Sequence, residues 1–161
     1  MGNPLLLSFY RNGACALCNL QVHKLIERYP AYRRQGLAVL AVFESSRESI
    51  LQYVGKQDAP FPIIADPRGH LYARYGVENS DEKVQASMKN PVVADVVKEA
   101  AASGFVLTAE EGSNFFRMTA DFLIAPDQKV VAAHYAEYVG DHLPFAIIEQ
   151  FLDAWGCNGA D

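Results

Sequence analysis

Cys15 and Cys18 follow directly on the apolar run Leu5-Leu6-Leu7-Ser8-Phe9-Tyr10 and open a stretch of helical periodicity. A strand that hands a Cys-x-x-Cys pair to the first turn of a helix puts both sulfurs where backbone N–H groups lack partners and the helix dipole is positive. Thiolate is favoured over thiol there. Because the thiolate attacks peroxides and disulfides, this placement predicts redox chemistry.

The pattern supports a strand over 4–10 and a helix over 15–33, with Leu17, Leu20, Val22, Leu25, Ile26 and Tyr29 on its apolar side and Pro30 expected to kink or end it. After Gly36, the run from Leu37 to Phe43 is apolar without alternation, as in a strand covered on both faces of a parallel sheet. Ser46 is placed to cap a helix over 47–55, and Phe61 to Ile64 reads as a short strand. Asp66 and Pro67 read as the N-cap and first position of a helix that Gly76 stops. Residues 78–116 interrupt the alternation with a polar start, a helical stretch from Pro91 to Ala102, and breakers at Gly104 and Gly112, and are read as an insertion. Asp121 to Ala125, a Pro126-Asp127 turn and Lys129 to Tyr138 form a hairpin pattern. Pro144 opens a last helix, with Ile148, Phe151 and Leu152 among its core-facing residues, and Gly156 ends it. This order predicts one α/β domain over 1–161, a mixed central sheet flanked by helices.

Composition narrows the function. With 14 Lys and Arg against 19 Asp and Glu, the net charge of −5 argues against nucleic-acid or anionic-membrane binding, both of which need a basic face. The start carries no basic segment and its apolar run stops at Arg11, too short for a signal core or membrane span, so a cytoplasmic protein is expected. Three cysteines are too few for a disulfide scaffold and suit a reducing compartment. Cys15, Cys18 and His23 supply at most three of the four ligands that structural zinc takes, so neither metal nor cofactor is expected.

The element order with its Cys-x-x-Cys resembles the thioredoxin superfamily, and three segments resemble its peroxiredoxin branch, the alkyl hydroperoxide reductase/thiol-specific antioxidant group. Phe9 to Gln21 is similar to that group's Phe-Tyr-Arg-Gly-x-x-Cys-x-x-Cys-Asn opening. Phe61 to Asp66 with Tyr75-Gly76-Val77 is similar to its Phe-Pro-Leu-Leu-x-Asp…Tyr-Gly-Val segment, and Phe122 to Asp127 to its Phe-x-Ile-x-Pro-x-Gly hairpin. The resemblance implies a thioredoxin-like fold carrying a helical insertion and a thiol-dependent antioxidant oxidoreductase. It implies a peroxide or disulfide substrate and a thiol electron donor such as a thioredoxin or glutathione.

Carried over by position, the resemblance puts Cys18 on the peroxidatic cysteine, Cys15 on the threonine of Thr-x-x-Cys, and Gln21 on the Glu or Gln that follows. It makes Arg117 the candidate for the arginine that holds the peroxide, and Thr119 stands at the cis-proline position of thioredoxins. Arg11 replaces the motif's proline and is a candidate for stabilising a thiolate, while Tyr10 is a candidate for lining the pocket. Two orders of attack stay open. Peroxiredoxin logic starts from Cys18 with Cys15 resolving, and thioredoxin logic starts from Cys15. Asp141 and His142 read as caps of the last helix, with a proton shuttle as the alternative for His142, and Cys157 as a free tail thiol. Two further readings are a thiol-disulfide oxidoreductase without peroxidase activity and a non-catalytic binding module. The insertion's Val92, Val93, Val96, Val97 and Phe105 would serve as a lid or a homodimer face.

Overall fold

The first apolar run becomes the central strand of a five-stranded sheet, β1 (Leu5–Phe9), in a computed structural model that describes residues 2–157. The expected domain limits at positions 1 and 161 lie outside these residues. β1 is followed by α1 (Ala16–Arg34), β2 (Ala38–Phe43), α2 (Arg47–Gln52) and a 3₁₀ turn over Val54–Gln57. Next come β3 (Ile63–Ala65), α3 (His70–Tyr75), α4 (Asp81–Ser87), α5 (Pro91–Ala102), β4 (Ala120–Ile124), β5 (Val130–Tyr135) and α6 (Phe145–Trp155). The strand order is β3-β2-β1-β4-β5, with β1 parallel to β2 and antiparallel to β4. This is the mixed α/β sheet of a thioredoxin-like fold.

Alternation along β1 divides the core. Leu6 and Tyr10 join the cluster under α1 and α6, with Leu25, Val39, Leu123 and Phe151. Leu7 and Phe9 join Val42, Tyr72, Val77 and Phe122 on the α3 face. Ser8 is the one polar residue of the strand, and its register partner on β4 is Asp121. The insertion packs on the start of α1: Val93 is buried, and Val96 and Phe105 lean on the cluster of Ala16, Leu20 and Ala100.

Three local expectations are corrected. Pro30 does not end α1, which runs on to Arg34. Pro30 is exposed, and Tyr29 and Tyr32 on either side of it anchor the last turns in the core, so the helix runs through it. Asp66 is not the N-cap residue of α3; that position belongs to Gly69 at φ +67. The Asp66 carboxylate still accepts from the N–H groups of His70 and Leu71, spanning the intervening turn. Residues 81–87, read only as a polar stretch, form α4, capped by Ser80, whose hydroxyl accepts from Lys83 N–H. No helix among the described residues is long and apolar enough to cross a membrane.

The α3 face depends on Phe9, whose ring lies 5.0 Å from Tyr72, 5.3 Å from Tyr75 and 5.9 Å from Phe122. Phe9→Ala removes the ring shared by these contacts and is expected to cost about 3–5 kcal/mol, read as a lower urea midpoint at unchanged slope.

Candidate active site

The loop between β1 and α1 is pinned at nearly every residue. Tyr10 N–H donates to Val42 carbonyl, and Arg11 carbonyl accepts from Glu44 N–H. The Asn12 side chain accepts from Ala14 N–H, and Gly13 N–H donates to the Ser45 hydroxyl, which in turn donates to Glu110. The Asn19 amide, one turn into α1, donates back to the carbonyls of Gly13 and Cys15 at 2.9 Å each. The first turn of α1 is therefore rigid before any substrate arrives.

Cys15 is the N-cap residue of α1, and its sulfur accepts from Cys18 N–H at 3.3 Å. The sulfur stands where a serine or aspartate oxygen would meet the unpaired amides. Cys18 lies one turn deeper, its sulfur accepting from Arg11 N–H at 3.4 Å. Exposure separates them. Cys15 is 6% exposed and lines a cleft of about 320 Å³, whereas Cys18 is 1% exposed and sits behind it.

Electrostatics separates them further. The Cys18 thiol donating to the Cys15 sulfur lowers Cys15 most; burial opposes this, and the Arg11 charge and Cys18 N–H add to it, bringing Cys15 down to about 6. Burial and then the neighbouring Cys15 push Cys18 well above the usual thiol range. Arg11 is nearly buried, with its guanidinium held by the carbonyls of Arg117 at 3.0 Å and Phe115 at 2.6 Å. The cationic group beside the sulfurs is thus Arg11.

Arg117 is engaged elsewhere. Its Nε donates to Glu44 Oε2 at 2.6 Å and its Nη1 to Val77 carbonyl at 2.7 Å, and the guanidinium lies 4.5 Å from the Tyr72 ring centre. It donates to no sulfur, and it ties the start of β4 to the end of β2. Thr119 is buried, with its hydroxyl donating to Asp141 carbonyl and its own carbonyl accepting from Ala136 N–H. Tyr10 is buried and stacked at 4.8 Å on Phe43, in the core rather than at the cleft. Gln21 faces a shallow depression beside Gly140 and His142, away from the cleft. His23 pairs with Glu27 at 3.2 Å on the outer side of α1, and no group of three potential ligands for a metal ion gathers among the described residues.

A second cavity of about 540 Å³ adjoins the cleft, and the two share Arg11, Leu17, Leu107 and Phe115. Its remaining wall comes from the insertion, including Val84, Met88, Val93 and Val97, and from Val139. Sequence reasoning missed Asn19, the Ser45–Glu110 link and Glu44. It also missed the partnership of Ser8 with Asp121, for which one polar residue in an otherwise apolar strand was the available signal.

Residues 1–133 match the model of the AhpC/TSA family. No curated protein sequence matches the chain. Among solved structures, the peroxiredoxin 6 of Arenicola marina superposes with TM-score 0.65 at 16% identity, covering 94% of this chain and 60% of that one. The peroxiredoxin Q of Xanthomonas campestris gives 0.61 at 17% identity, covering 95% and 78%. A yeast mitochondrial 1-Cys peroxiredoxin gives 0.61 at 16% identity, covering 95% and 64%. At such identities the likeness is one of fold.

The placement of the two arginines generates a paired prediction. Arg117→Met leaves the buried Glu44 carboxylate unpaired and is expected to cost about 3–5 kcal/mol in urea unfolding. Arg11→Met is expected to raise the pH midpoint of Cys15 alkylation, and by more than Arg117→Met does; the reverse ranking would return the thiol-activating role to Arg117.

Proposed function

The chain belongs to the AhpC/TSA family, and on that premise we propose that it reduces peroxides through a Cys15–Cys18 dithiol-disulfide cycle in which Cys15 supplies the attacking thiolate. The observation that carries this order is that Cys15 caps α1, accepts from Cys18 N–H and faces the cleft, while Cys18 is buried behind it. The Cys15 thiolate attacks the terminal peroxide oxygen, the O–O bond breaks, and an alkoxide leaves and is protonated. Cys15 becomes a sulfenic acid. The Cys18 sulfur then attacks the Cys15 sulfur, the S–O bond breaks, water departs, and the disulfide remains. Two equivalents of an external thiol, from a thioredoxin-type donor or glutathione, return the two electrons. A reducing compartment such as the cytoplasm is where that donor is sustained.

The apolar cavity that opens from the cleft favours an organic hydroperoxide whose substituent lies against Leu107, Val93 and Val97 while Arg11 stands beside the reacting sulfur. Thiolate at the first cysteine of the pair also supports a second reading, exchange with disulfides in the manner of thioredoxins, because the same sulfur and the same resolving thiol serve both.

With cumene hydroperoxide as oxidant and a thiol donor in excess, Cys15→Ser is expected to lose turnover entirely. With the thiol donor left out, Cys18→Ser is expected to stop after one equivalent of peroxide, with Cys15 trapped by dimedone as the sulfenic acid. Sustained turnover in Cys15→Ser, or dimedone on Cys18 in the wild type, would assign the attack to Cys18. Reduction of disulfides without any oxidation by the peroxide would select the second reading.

A further inference from the structure

A buried polar cluster lies beneath the dithiol, and the cycle described so far does not use it. Ser8 on β1 donates to Asp121 Oδ1 at 2.7 Å, and Leu143 N–H donates to Asp121 Oδ2 at 2.8 Å. His142 Nδ1 lies 3.1 Å from the same oxygen. Asp121 and His142 each have side chains only 4% exposed. His142 Nε2 is buried and finds no hydrogen-bond partner among the described residues. A carboxylate only accepts, so Nδ1 carries a hydrogen in both charge states and the proton that comes and goes is on Nε2.

The cluster reaches the cysteine turn through Tyr10 and Gly140. The His142 ring lies 5.1 Å from that of Tyr10, whose neighbour Arg11 donates its N–H to Cys18. Gly140, at φ +88, lies so close to Leu17, the residue before Cys18, that a Cβ there would approach Leu17 Cδ2 to 2.6 Å. The charged and titratable groups around His142 are Asp121 from β4, Asp141 beside it, Tyr10 from the end of β1, and Cys15 and Cys18 from α1; Asp141 is itself paired with His134 on β5 at 3.0 Å. Burial lowers the proton affinity of His142, but Asp121, Cys15 and Asp141 together outweigh it and the net shift is upward. Asp121 is lowered despite its burial, chiefly by His142.

We propose that Asp121 and His142 form a proton store for the dithiol, in which His142 holds a proton at Nε2 while Cys15 is a thiolate and releases it when Cys15 and Cys18 become a disulfide. Charge balance in a low-dielectric interior is the reason. With Asp141 set apart by its own pairing to His134, two anions in the reduced protein, Cys15 and Asp121, face two cations, Arg11 and His142. Oxidation removes the thiolate, and losing the His142 proton restores neutrality.

The cycle then closes without solvent protons. Thiolate, thiol, hydroperoxide and protonated His142 give disulfide, alcohol, water and neutral His142. The disulfide, two external thiols and neutral His142 give back thiolate, thiol and protonated His142, with the external disulfide as the oxidised product. This rests on Cys15 being the thiolate. His142 acts on the sulfurs as a positioning residue, through the field inside the cluster.

The test is a titration of the wild-type His142 ring by NMR in the dithiol form and in the disulfide form prepared with diamide. The His142 midpoint is expected to fall on oxidation by about one pH unit or more, a tenfold or larger loss of proton affinity. Equal midpoints in the two forms would overturn the proposal. As a second measurement, folded His142→Gln is expected to raise the pH midpoint of Cys15 alkylation, and an unmoved midpoint would overturn it as well. Because diamide forms the disulfide without any peroxide, loss of peroxidase activity and loss of this coupling are separate results.

Discussion

The site depends on the Cys15 sulfur standing as the N-cap of α1, where it accepts from Cys18 N–H and where the Cys18 thiol and then the Arg11 charge favour its anion. A capping oxygen satisfies an unpaired amide and meets the positive end of the helix; a sulfur in the same place does so far better as an anion, because a thiol accepts weakly. Helix-cap geometry and a neighbouring thiol together become acidity. The rest of the loop keeps that geometry fixed, with Asn19 holding the carbonyls of Gly13 and Cys15 and Ser45 holding Gly13 from the end of β2. Arg11 adds a positive charge whose position is set by two carbonyls and not by the substrate.

Below that turn the sheet supplies what the cap cannot, a place for buried charge. β1 and β4 pair antiparallel, so Ser8 and Asp121 fall opposite each other on the α1 face, and the chain before α6 returns to set His142 and Leu143 N–H on the same carboxylate. Arg117 and Glu44 form a second buried pair, which braces β4 against the end of β2. The two pairs divide the work: one stabilises the frame, and the other lies next to the sulfurs.

The β1-α1-β2 unit was legible because its signals are local: an apolar run, a 3.6-residue stripe, and a second run with no polar interruption. The hairpin of β4 and β5 and the helix α6 were legible for the same reason. α4 was not, because its seven residues bury only Val84 and Ser87 and its apolar period is too short to register. Pro30 misled because the packing of Tyr29 and Tyr32 carries α1 through it. The site was legible in its cysteines and in Arg11, which adjoin along the chain. It was not legible in the partners of Arg117 or His142, since Glu44 and Asp121 lie 73 and 21 residues away and meet them only through the sheet. Which sulfur carries the negative charge was equally hidden, because burial and a thiol-to-sulfur hydrogen bond decide it.

The most direct measurement is alkylation of the reduced protein by iodoacetamide across the pH range, with each cysteine followed by mass spectrometry. Cys15 is a thiol whose proton affinity is lowered by folding, so its thiolate is present above its midpoint and lost below it. The account predicts a Cys15 rate that rises through a midpoint of about 6 and levels off by neutral pH, with Cys18 unmodified throughout that range. A Cys15 midpoint at the ordinary thiol value of about 8.5, or Cys18 reacting first, would contradict it.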